Sequence, residues 1–77
     1  MSESELSQRD RDILDFASRS WTGPGARDRA IRERLAISPT AYLQILNALL
    51  DDPRALAYAP ATINRLRAAR TTRRAQR

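Results

Sequence analysis

Apolar positions recur every three or four residues along this chain, and nowhere do they alternate between hairpin turns, so the pattern predicts an all-α fold. A first helix is expected from about Gln8 to Ser20. Ile13, Leu14, Phe16, Ala17 and Trp21 share its broad apolar face, and Ser7, with Asp10 three residues on, serves as N-cap. Thr22-Gly23-Pro24-Gly25 stops it. A second helix follows from about Arg27 to Leu35, with Ala30, Ile31 and Leu35 inward. After the short Ala36-Ile37-Ser38 connection, Ser38 caps a third helix whose first position is Pro39, where a missing N–H costs nothing. That helix runs to about Asp51, with Tyr42, Ile45, Leu46, Leu49 and Leu50 on one face. Pro53 ends it and begins a short helix through Tyr58; Pro60 lies near the start of a last helix, docked by Ile63 and Leu66. Residues 1–70 read as one helical domain of four to five helices, and 71–77 as an arginine-rich tail expected to fray.

The second and third helices carry the most specific spacing. Ile31 and Leu35 face inward on one, Ile37 plugs the turn, and Tyr42 and Ile45 face inward on the next. A helix-turn-helix needs this arrangement, its second helix entering the DNA major groove. An ordinary three-helix bundle with a tight α–α turn fits the same pattern, and Ala36 stands where DNA-binding units usually have Gly. The outward residues suit base reading: Gln44 and Asn47 can pair with adenine, Thr40 can reach a base or a phosphate, and Leu43 can meet a thymine methyl. The N–H groups following Ser38 offer a phosphate site.

Charge sharpens the picture. All 14 basic residues are Arg, and the net charge is +5. Residues 1–53 hold 7 Arg and 9 acids, whereas residues 54–77 hold 7 Arg and no acid. In the first half, Arg11–Asp15, Asp15–Arg19, Asp28–Arg32 and Arg29–Glu33 are spaced as i,i+4 pairs. Arg65, Arg67, Arg70, Arg73, Arg74 and Arg77 have no such partner, which makes them candidates for DNA-backbone contact. A solvated basic tail, or one that docks on an acidic protein surface, accounts for them as well.

The chain contains neither Cys nor His, so disulfides, Cys/His zinc sites and His-based triads are excluded. With no Gly-rich phosphate loop and no evident carboxylate pair in a pocket, an enzyme is not expected, nor is a cofactor. Of its apolar residues 13 are alanine, a thin core in which a small-molecule pocket is not expected. The acidic start MSESELSQRD is unlike a signal peptide, no apolar run reaches membrane-span length, and the expected location is the cytoplasm, at the nucleoid.

AIRERLAIS, then YLQILNALLDDPRALAYAP and INRLRAAR, resembles a group of small actinobacterial proteins, domain-of-unknown-function family 3263, over about Leu6 to Arg70. The resemblance implies a helix-turn-helix-like fold and an association with transcription. Two readings follow. One is a regulator that binds double-stranded DNA through Thr40, Leu43, Gln44 and Asn47, with Ser38 and the six arginines on phosphates. A module this small would need a homodimer on half-sites about 34 Å apart, or a partner. The other is a module that docks on RNA polymerase, a sigma factor or another regulator.

Overall fold

The structure is a computed structural model that describes the backbone of residues 5–75 and the side chains through Thr72. Among the described residues there are five α-helices and no strand. They are α1 (Gln8–Ala17), α2 (Pro24–Ala30), α3 (Pro39–Leu49), α4 (Pro53–Tyr58) and α5 (Pro60–Ala75). A single π turn (Ile31–Leu35) prolongs α2. No described helix is long and apolar enough to cross a membrane.

The starts of α1, α3 and α4 follow from short polar side chains. Ser7 Oγ accepts from the Asp10 N–H at 3.1 Å, Ser38 Oγ from the Ala41 N–H at 3.1 Å, and Asp52 Oδ1 from the Arg54 N–H at 2.9 Å. Each satisfies a donor that the first helical turn leaves over. Proline occupies the opening turn of α2, α3 and α4. In α2 this moves the boundary. The helix begins at Pro24 rather than Arg27, because Pro24 is already set to a helical φ and has no N–H to strand. At the other end α1 stops at Ala17, short of Ser20, where the Ser18 hydroxyl donates to the Asp15 carbonyl at 2.6 Å. α3 ends at Leu49, with Leu50 as its cap. α5 continues to Ala75.

The core is one cluster. Ile13, Leu14 and Phe16 of α1 meet Ile31 of the π turn, Tyr42, Leu46 and Leu49 of α3, Ala55 of α4 and Ile63 of α5. Leu35, Ile37 and Ile45 pack half-buried against it, as their inward spacing requires. The α1–α3 seam is aromatic. The Phe16 ring stacks on Trp21 at 4.7 Å and meets Tyr42 edge-on at 5.4 Å, while the Arg34 guanidinium lies 5.4 Å above the Trp21 ring.

Ala36 joins the π turn to α3. Its φ of 57° and ψ of 34° make it the only described residue other than glycine in the left-handed region. A Cβ there crowds the following carbonyl oxygen. Ala36→Gly relieves that crowding but loosens the unfolded chain, so the net gain is about 0.5–1 kcal/mol. A rise of a few degrees in Tm is expected by thermal melting, and a fall would mean that Ala36 is not left-handed in solution.

Candidate nucleic-acid interface

The outward arc of α3 presents Thr40, Leu43, Gln44 and Asn47, all exposed, opposite the buried Tyr42, Leu46 and Leu49. At its head, Ser38 is exposed and its hydroxyl is engaged in the cap. Pro39 has no N–H, the Ala41 N–H goes to Ser38 Oγ, and the Tyr42 N–H goes to the Ser38 carbonyl at 3.0 Å. The Thr40 N–H is the amide this leaves for an anion at the head of α3.

The two edges of the arc differ. On the Leu43 and Asn47 side lies a groove of ≈ 670 Å³ between α3 and α5, closed at one end by Trp21 and Pro24 and rimmed by Arg19, Arg27, Arg65 and Arg70. On the Gln44 side, a shallower depression is flanked by Asp10 and Asp52. A polyanion laid along α3 would therefore meet favourable charge at the first edge, whereas at the second Asp52 is already paired with Arg54.

Arg65, Arg67 and Arg70 of α5 prove to have partners, supplied by α1, by α3 and by the residues just after α3. Arg65 donates to the Ala17 carbonyl at 2.8 Å, and Arg67 Nε donates to the Leu50 carbonyl at 2.6 Å. Both carbonyls lie at helix C-termini, where unpaired C=O groups and the helix dipole favour a cation. Arg70 donates to Asn47 Oδ1 at 3.0 Å and to Asp51 Oδ1 at 3.1 Å. Arg70 thus holds the carbonyl oxygen of the Asn47 amide, one of the atoms that would face adenine. The side chains of Arg73 and Arg74 and all of Arg77 lie outside the described residues.

None of the four i,i+4 pairs forms. Arg11 donates back to the Leu6 carbonyl at 2.7 Å and to Gln8 Oε1 at 3.1 Å, and Asp15 accepts instead from the Tyr58 hydroxyl at 3.0 Å. Arg27–Asp28, at 3.5 Å, and Arg54–Asp52, at 2.8 Å, are close in sequence, whereas Arg70–Asp51, at 3.1 Å, joins two helices. Hydrogen bonds from Arg54 hold the Asp52 carboxyl below its usual range. Burial pushes the Tyr42 phenol up, partly opposed by Arg27 and Arg65 nearby; the hydrogen bond to Asp15 pushes the Tyr58 phenol up. No described group of three or more acids is arranged to hold a metal.

A family model described as protein of unknown function (DUF3263) matches residues 5–77, and the chain belongs to that family. No curated protein and no solved structure matches the chain.

The bond from Arg67 is half-buried and charge-assisted, so Arg67→Gln is expected to lower stability by about 1–2 kcal/mol, more than Arg65→Gln on its exposed carbonyl. Urea midpoints at unchanged m-value measure this, and equal effects would argue against a bracing role for Arg67. A second expectation concerns pH. Both tyrosines have folded pKa values above the unfolded value of about 10, so their contribution is complete below that pH and is lost as pH rises through the folded values. Tyrosinate absorbance should therefore rise late in the folded protein, and Tyr58→Phe should remove the part due to Tyr58. A titration indistinguishable from free tyrosine would refute the Tyr58–Asp15 bond.

Proposed function

We propose that this member of the family is a small DNA-binding transcriptional regulator, acting at the nucleoid through a helix-turn-helix made of α2, its π turn and α3. What carries the reading is the exposure of Thr40, Leu43, Gln44 and Asn47 on one arc of α3, directly after a tight turn. Those residue types offer an amide pair, a hydroxyl and an apolar contact to base edges. Arg65 and Arg70 stand along one edge of the arc, so phosphates on that side of the groove would find guanidinium groups already fixed in place.

The bonds of the free protein assign different weights to the four residues. Among the described residues, Thr40, Leu43 and Gln44 have no side-chain bond to give up before meeting DNA. Asn47 and Arg70 are bonded to each other and would have to separate or act together. Gln44 is therefore the sound probe of base reading, since Asn47→Ala also strips Arg70 of a partner. Ser38 contributes mainly by holding the head of α3 in place.

The competing reading is a module that docks on RNA polymerase, a sigma factor or another regulator, and it is favoured by the concave setting of Leu43 and Asn47. One experiment separates the two. Duplexes bound by the chain are selected from a random pool at about 150 mM salt. Gln44→Ala is then tested on the selected site and on random DNA. The expected result is an enriched motif on which Gln44→Ala costs about 1–3 kcal/mol, with little change on random DNA. If about four phosphates are neutralised, the log–log salt slope is near −3.6. Binding that is salt-sensitive, without a motif and indifferent to Gln44→Ala would overturn base reading and leave the docking module.

A further inference from the structure

The geometry points to the groove between α3 and α5 as a docking site for an acidic amphipathic helix of a partner protein. This goes beyond DNA binding and does not depend on it. The groove is lined by Tyr42, Leu43, Leu46, Asn47 and Leu50 on one wall and by Arg65, Leu66, Ala69 and Arg70 on the other. Each wall repeats at the three- and four-residue spacing of a helix face. The wall from Tyr42 to Leu50 spans nine residues, or eight steps of about 1.5 Å, about 12 Å of helix axis. A ligand helix with apolar anchors at i, i+3 or i+4, and i+7 spans about 10.5 Å, so one set of anchors fills the groove from end to end.

The floor is apolar where an anchor would sit. Leu43, 48% exposed, is one of two large apolar side chains left open to solvent among the described residues. Trp21, Leu46, Leu66 and Ala69 continue the surface. The walls are held to one another by hydrogen bonds: Arg65 and Arg67 tie α5 to the C-termini of α1 and α3, and Arg70 bridges to Asn47 and Asp51. A fixed groove loses less conformational freedom on binding than one that must form around its ligand.

Charge selects the partner. Every charged residue of the lining is an arginine: Arg19, Arg27, Arg65 and Arg70. Asp28 and Asp51 pair with Arg27 and Arg70 from outside the lining, while Arg65 bonds to a carbonyl and Arg19 brings no carboxylate with it. The rim is thus net positive, and Arg27 Nε has no hydrogen-bond acceptor. Glu or Asp beside the apolar anchors would meet that rim, whereas Lys or Arg there would be repelled. Leu43 and Asn47 would be covered by such a helix, so docking and use of the α3 arc by DNA would exclude one another.

The test is selection from a displayed library of helical peptides, with random residues around a fixed helical frame, against the full chain. Enriched peptides are expected to carry apolar residues at i, i+3 or i+4, and i+7 with Glu or Asp beside them. Because the chain is basic, each is compared with a scrambled peptide of the same composition, which is expected to bind at least about tenfold more weakly. Leu43→Glu is expected to weaken the selected peptides by about tenfold or more. Arg19→Glu, at an exposed residue outside the core, is expected to weaken them several-fold while leaving the melting curve unchanged, and keeps the test valid should Leu43→Glu fail to fold. The proposal is overturned if no peptide is enriched, if the enriched peptides lack acids or bind as well when scrambled, or if a folded Leu43→Glu variant or Arg19→Glu binds them like the unmodified chain. Self-association that Leu43→Glu abolishes would assign the groove to a second copy of the chain and equally overturn it.

Discussion

The edge-on contact of Phe16 with Tyr42 is the joint on which the arrangement of this protein depends. Phe16 belongs to α1 and Tyr42 to α3, and the other face of Phe16 is taken by Trp21, which closes the turn between α1 and α2. Arg34 covers Trp21 from the π turn. Four successive pieces of chain thereby meet at one aromatic cluster. In a domain this small, with alanine as its commonest apolar residue, few other side chains can bury so much area at once. Because Tyr42 points into this cluster, Thr40, Leu43, Gln44 and Asn47 must lie on the outer side of α3.

A second layer of order is polar. Among the described side chains of α5, the large apolar ones are Ile63, fully buried, and Leu66, half-buried, a narrow apolar stripe. Arginine makes up the difference. A guanidinium has several donors on a planar group and an aliphatic stem that tolerates burial, so Arg65 and Arg67 can reach helix-end carbonyls that a shorter side chain would miss. The acid-free end of the chain is in this respect part of the scaffold. It leaves positive charge along one side of α3, while the other side carries Asp10 and the paired Asp52 and Arg54.

Much of this was legible in the residues themselves. Ser7 and Ser38 followed by helix-compatible residues mark where α1 and α3 begin, and Pro53 and Pro60 mark α4 and α5, because caps and proline act within a few residues of chain. The inward faces of α1 and α3 follow from a period that any helix of that composition must obey. Where the reading erred, the reason is also local. Pro24 and Gly25 serve as the first turn of α2, and a Gly-Pro-Gly string reads equally well as a loop. Leu6 gave no signal, standing alone ahead of the first cap, yet it is buried. Spacing of opposite charges at i,i+4 proved a poor guide. Exposed ion pairs contribute little, and Arg11 and Asp15 found closer hydrogen-bond partners in Leu6 and Tyr58.

By itself the sequence determined the fold class, the outward arc of α3 and the concentration of arginine in the last third, since each depends on residue type and local periodicity. The tertiary structure alone decided what surrounds the arc. It put Ala36 in a left-handed turn, gave Asn47 to Arg70, and brought α5 alongside α3 so that the exposed Leu43 borders a groove. The last two relations join residues some twenty positions apart in the chain, and no local spacing encodes a distance of that kind.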